Sequence, residues 1–259
     1  MERSWKESVS LLYCLLDLER RAVGVRLIDS PEEFDRFDGI AMKRPINYCQ
    51  MVKAASRGAV IKADSEGFAC RSGARVLGID KADPGNGQGE NWARLGLYKD
   101  SVLSRQVREC LTYSSADKYG VALGPVERLD AVPDAVVLIT NPYNIMRLTQ
   151  GYAYHFGMPK SIRMIGNQAV CLECTANPFV TGDMNLSLLC IGTRHKAHWE
   201  NSDMACGIPR KQFPYVVDGL LQTMNAMEGD REKRRIEEKF RAEGIQQDIR
   251  YGYNYYMDC

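Results

Sequence analysis

At 259 residues the chain has room for one or two domains, and a composition of 45% hydrophobic and 26% charged residues is that of a protein with a packed core. Lys plus Arg number 34 against 33 for Asp plus Glu, so no excess charge draws it to nucleic acid or a membrane surface, and disordered and collagen-like classes are excluded. Nine cysteines, an odd number in a chain with enough apolar residues for a core, point away from an extracellular disulfide framework and toward reduced thiols or metal ligands.

Trp5, Val9, Leu12 and Leu16 share one helical stripe, which predicts a leading amphipathic helix that ends near Arg21. Ala22 to Ile28 reads as a strand, and Ser30-Pro-Glu-Glu has the cap, proline and acidic first turn of a helix start. Pro45 to Ala55 reads as a helix opened by proline and stopped near Gly58. A strand over Ala59 to Ala63 and a turn at Asp64-Ser-Glu-Gly67 then lead into Phe68-Ala-Cys70. The segment Asp80 to Gly89 is dense in turn formers, and its glycines lack the strand and helix context of a phosphate-binding loop.

The second half repeats this order. Ala135 to Ile139 is a strand and Pro142 to Tyr152 a proline-opened helix, aligning Pro45 with Pro142, Asn47 with Asn144, Cys49 with Met146 and Gln50 with Arg147. Phe68-Ala-Cys70 then meets Ala169-Val-Cys171, read as another strand ending in cysteine. The expected fold is α/β, with α+β as the alternative: two strand-helix-strand halves, about 20–120 and 121–215, related by a pseudo-twofold axis within a domain over 1–215. Residues 216–259 form a separate C-terminal region. Tyr215 to Met227 reads as an amphipathic helix, Glu228 to Glu243 as a charged surface helix, and the tyrosine-rich ending Tyr251 to Cys259 as a tail docked on the body or on a second copy of the chain.

Cys171 and Cys174 form a C-x-x-C, a spacing that suits two thiolates on one metal or a redox dithiol. Thr175 to Pro178 reads as a loop rather than the helix that a thioredoxin-like pair needs. Zinc could recruit Cys190, His195, His198 or Cys206, but no second tightly spaced pair is present. An iron–sulfur cluster would have to gather distant thiolates: Cys49, Cys70, Cys171 and Cys190, with Cys174 as a spare. Buried thiols that only pack are the competing explanation. Met146, as the repeat partner of Cys49, raises a haem or corrinoid ligand pair, and Arg147 and Arg194 could hold a carboxylate or phosphate of a bound cofactor.

In order along the chain, Cys49-Gln50, Cys70 with Gly73-Ala74, Leu77-Gly78, Asn141-Pro142, Cys171, Cys190-Ile-Gly-Thr-Arg194 and Gly207-Ile-Pro209 resemble the domain-of-unknown-function family 169, widespread in anaerobic bacteria and archaea. The resemblance spans about Leu11 to Pro209 and implies that Cys49, Cys70, Cys171 and Cys190 share a role. It departs from the family pattern at Leu189, where glycine is frequent, and at the extra Cys174. No apolar run is long enough to span a membrane, so the expectation is a cytoplasmic protein that handles a small molecule or cofactor, with neither nucleic acid nor membrane as partner. Its expected cofactor is an iron–sulfur cluster or other thiophilic metal group, in a redox or cofactor-handling role in anaerobic metabolism. The alternatives are a small-molecule or tetrapyrrole-binding module, and an assembly protein with structural cysteines.

Overall fold

The computed structural model describes residues 3–81, 89–115, 117–160 and 162–255. Ser4 caps α1 (Trp5–Leu15) in a reciprocal capping box with Glu7. After it come β1 (Val23–Ile28), α2 (Pro31–Arg36), β2 (Ile40–Ala41), α3 (Tyr48–Ser56) and β3 (Ile61–Asp64). Next are α4 (Arg71–Val76), α5 (Glu90–Arg94), α6 (Ser101–Glu109), β4 (Gly120–Pro125) and β5 (Ala135–Thr140). The chain continues through α7 (Pro142–Phe156), a π-helix (Ala169–Ala176), α8 (Asn177–Thr181), β6 (Asn185–Ser187), α9 (Ile191–Ala197) and β7 (Met204–Pro209). It closes with α10 (Phe213–Met227) and α11 (Asp230–Ala242).

The strands build one sheet in the order β2-β3-β4-β1-β5-β7-β6, antiparallel except where β2 joins β3. β1 and β5 meet at the centre, with Val25 opposite Ala135 and Val23 opposite Val137. Outward from that junction each side repeats one pattern: β1-β4-β3 on one hand and β5-β7-β6 on the other. Sheet residues alternate between two buried faces, as period-two side chains require. Val136, Leu138, Cys206 and Ile208 pack with α1, α7, α10 and α11, whereas Val25, Leu27, Leu123, Val137 and Ile139 pack with α3, α4, α9 and the π-helix. The result is a three-layer α/β protein.

Several expected elements lie elsewhere in detail. Pro45 precedes α3, which starts at Tyr48 after an Asn47 cap, whereas Pro142 is the first residue of α7. The two helix starts therefore do not superpose in the register that proline suggests. Phe68-Ala-Cys70 is not a strand: Phe68 makes a single bridge to Ile46, and Cys70 caps α4. Ala169 to Cys171 belongs to the π-helix rather than to a strand. Residues 82–88 of the expected Asp80 to Gly89 loop, and 256–259 of the tyrosine-rich ending, lie outside the described residues.

The C-terminal helices join the body. Val216, Val217, Leu220, Leu221 and Met224 bury one face of α10 against α1 and α7. Gly219 makes this possible, because a Cβ there would stand 2.0 Å from the Gly151 carbonyl oxygen. α11 exposes most of its charges but buries Ile236 and Phe240. Lys233 is fully buried, and its ammonium donates to the carbonyls of Arg250 and Tyr253. Tyr251 donates to Glu237 at 2.8 Å, so the described part of the tail docks on its own chain. No helix among the described residues is long and apolar enough to cross a membrane.

Candidate functional site

On the α3 side of the sheet, Cys49, Cys70, Cys171 and Cys190 line one cavity of about 340 Å³. Each thiol comes from a different helix start. Cys49 is the second residue of α3, Cys70 is the cap of α4, Cys171 is third in the π-helix and Cys190 caps α9. Cys70 follows β3 and Cys190 follows β6, while the helices of Cys49 and Cys171 precede those same strands. By order of elements, then, Cys70 corresponds to Cys190 and Cys49 to Cys171, a different pairing from the one the sequence suggests.

Local chemistry fixes these starts. Cys190 Sγ accepts from the Thr193 N–H at 3.3 Å and lies 3.1 Å from the Thr193 hydroxyl, so the thiol takes the place a Ser or Asp side chain has in an ordinary cap. The preceding Leu189 is buried and left-handed, at φ 65°. Glycine, which the resemblance leads one to expect here, would enter that region without steric cost. Leu189 adopts it nonetheless, with its N–H held by the Ser187 hydroxyl at 3.0 Å.

The π-helix is held on every side. Gln168 enters it with φ 56°, donates to Ser72 and accepts from the Tyr113 hydroxyl at 2.9 Å. Glu173, buried, accepts from the Ile165 N–H at 2.7 Å and from the Ser187 hydroxyl, and burial raises its carboxyl above the usual range despite both bonds. Thr175 donates to the Val170 carbonyl, so Tyr48 donates its hydroxyl to Thr175 at 3.0 Å and ties α3 to the π-helix. Gly207 in β7 lets the π-helix lie directly on the sheet, since a Cβ there would meet the Cys174 carbonyl oxygen at 2.1 Å.

Burial is the largest influence on the thiols. It pushes Cys49 up to about 11, with Cys190 and Cys70 adding to the effect. Cys171 is held well above the usual range by burial and then by Cys70, Cys190 and Cys49, which places all four thiols within electrostatic reach of one another. Among the described residues no three His, Cys, Asp or Glu groups are close enough to hold a single metal ion. The eight described cysteines are all free.

The other expected site residues lie away from the cavity. Cys174 is fully buried against β7, and burial, then Glu173, Cys206 and Cys171, hold its thiol well above the usual range. Met146 is exposed on α7, on the other side of the sheet from Cys49, so the two sulfurs do not pair. Arg147 is buried between α7 and α10, its Nε on Glu228 at 2.6 Å and its other nitrogens on Gln150, Thr223 and the Leu220 carbonyl. Arg194 clamps a turn through the carbonyls of Leu188, Glu200 and Asp203. His195 and His198 are exposed and absent from the cavity wall, and Cys206 is buried in β7. Conversely, Tyr48, Trp92, Asn167, Gln168 and Lys196 line the cavity without having stood out in the sequence. Only the cysteines carry a residue type rare enough to mark them.

Fold and site together define a three-layer α/β protein with a cavity lined by four cysteines. The chain belongs to domain-of-unknown-function family 169, described as uncharacterised ArCR, whose model matches residues 11–219. An uncharacterised protein of Methanocaldococcus jannaschii is similar to it, 23% identical over 218 residues that cover 83% of this chain and 93% of the relative. No solved structure matches.

Proposed function

We propose that this protein binds an iron–sulfur cluster or another thiophilic metal cofactor through Cys49, Cys70, Cys171 and Cys190, in a redox or cofactor-handling role. The observation that carries the reading is the meeting of four cysteines, widely separated in sequence, on one cavity. Such a donor set fits the group. It is all sulfur, it is partly shielded, and among the described residues no Asp, Glu or His stands on the same wall to favour a harder metal. Four thiols spread around a cavity suit a cluster, which brings iron and sulfide to fill its middle, better than a lone zinc ion that needs its ligands in tetrahedral contact.

Two further features support the reading. Among the described residues, the three non-glycine residues with positive φ are Gln168, Leu189 and His198, which flank the π-helix and α9. Strain of this kind, worth about 1–3 kcal/mol per residue, collects where a site requires a particular backbone path. Burial also holds the thiols of Cys49 and Cys171 above the usual range, so loading must release their protons and is favoured by rising pH. Metal and acid-labile sulfide analysis of anaerobically purified protein tests the proposal, with an expected visible absorption lost in a Cys70→Ser, Cys171→Ser variant. Protein free of metal whose thiols all titrate would sink it.

A further inference from the structure

Two side-chain nitrogens on the described cavity wall, Asn167 Nδ2 and Lys196 Nζ, are donors with no structural hydrogen bond to serve. Asn167 Nδ2 is shut off from solvent and has no partner, although buried donors are almost always paired because an unmade bond costs the desolvation of the group. Its place is fixed by the next residue, Gln168, whose side chain is bonded to both Ser72 and Tyr113. Lys196 reaches the same cavity from the face of α9 that also presents Gly192 and Thr193. Among the described residues no Asp or Glu lines the cavity, and Lys196 is the charged side chain on its wall. Trp92, Tyr48, Val170 and the thiols supply its apolar and aromatic surface, while Asn47, Ser72, Gln168 and Thr193 are bonded within the protein. At about 340 Å³ the space falls within the range of small-molecule sites.

We infer that the cavity binds a small organic carboxylate, its charged end on Lys196 Nζ and Asn167 Nδ2 and its apolar or aromatic body against Trp92 and Tyr48. The carboxylate supplies the acceptor that Asn167 Nδ2 lacks and a counter-charge absent from the described wall. The inference rests on Lys196, Asn167 and Trp92 and does not depend on the cluster.

Benzoate, benzyl alcohol and benzylamine share one aromatic body and differ in charge. Each is titrated into anaerobically purified protein while tryptophan fluorescence is read, and Trp92→Phe identifies the signal from the cavity. Benzoate is expected to give a saturable response at millimolar concentration, with the neutral and cationic analogues at least about tenfold weaker. Lys196→Met and Asn167→Leu should each weaken benzoate about tenfold, and Lys196→Arg should retain most of the affinity. Because Lys196 is exposed, Lys196→Met should leave the thermal midpoint unchanged. The inference is overturned by benzyl alcohol or benzylamine binding as tightly as benzoate, by no saturable response to benzoate, or by unchanged affinity in both weakening variants. Colourless, metal-free protein that binds benzoate refutes the cluster and upholds the carboxylate. Coloured protein that ignores benzoate does the reverse.

Discussion

The two helical layers on this sheet treat buried polarity in opposite ways. Between α7 and α10, each guanidinium nitrogen of Arg147 has a partner, and Glu228 also accepts from Tyr143 at 2.6 Å. Around the π-helix, thiols gather beside an amide nitrogen with no partner, and non-glycine residues are held left-handed. A charge pair whose every bond is made inside the protein holds the fold. Polar groups left without partners, on a strained frame, are poised for something from outside. A buried arginine is therefore a weaker sign of a binding site than a buried amide that bonds to nothing.

The largest effect that can break this comparison is on the closed side. Glu228→Ala leaves Arg147 buried and unpaired, which should cost about 3–5 kcal/mol in denaturant unfolding. Metal content per folded molecule should stay unchanged, and a parallel loss of metal would mean that the layers are coupled. Glycine substitutions sharpen the contrast. Gly219→Ala and Gly207→Ala each press a methyl into backbone, at 2.0 and 2.1 Å, and should destabilise toward the upper end of about 1–3 kcal/mol. Only Gly207→Ala, which displaces the π-helix carrying Cys171, should also reduce bound metal, as measured by metal analysis of the folded fraction.

A smaller effect follows from the thiols. Cys49 is raised from 9.0 to about 11, so between those values the folded state holds a proton that the unfolded state has lost. Its contribution to the stability of metal-free protein is complete below pH 9 and is lost as pH rises toward about 11. Unfolding midpoints across that window should fall, and Cys49→Ser should flatten the slope. Smallest of all is Leu189→Gly. Relief of about 1–2 kcal/mol of left-handed strain opposes the loss of about 1.5–3 kcal/mol from a buried leucine, for a net destabilisation near 1 kcal/mol in thermal or denaturant unfolding.

Much of the chain was legible without coordinates. The capped starts at Ser4 and Ser30, the apolar runs of β1 and β5, and the amphipathic period of α10 are local signals, and each element formed close to where they point. β4 and β7 were not recognised, because Gly120-Val-Ala-Leu-Gly-Pro125 and Met204-Ala-Cys-Gly-Ile-Pro209 carry glycine and proline that read as turns. Their hydrogen-bond partners, not their propensity, make them strands. The π-helix was also hidden: Ala169 to Ala176 has no sequence period that separates it from a buried strand, and it is fixed by Gln168, Glu173 and Thr175 bonding outward.

What the sequence determined by itself was the inventory: an α/β chain with more cysteine than a core needs, four of them at Cys49, Cys70, Cys171 and Cys190. Residue type and local period are enough for that. Only the tertiary structure decided which sulfurs meet, since Cys174 points into packing while Cys171, three residues earlier, reaches the cavity. It also separated Arg147 and Met146 from the site and brought Asn167, Trp92 and Lys196 into it. The reason is that a cavity is made by elements joined across the sheet, and the distances between them depend on strand order and helix packing that no local pattern encodes.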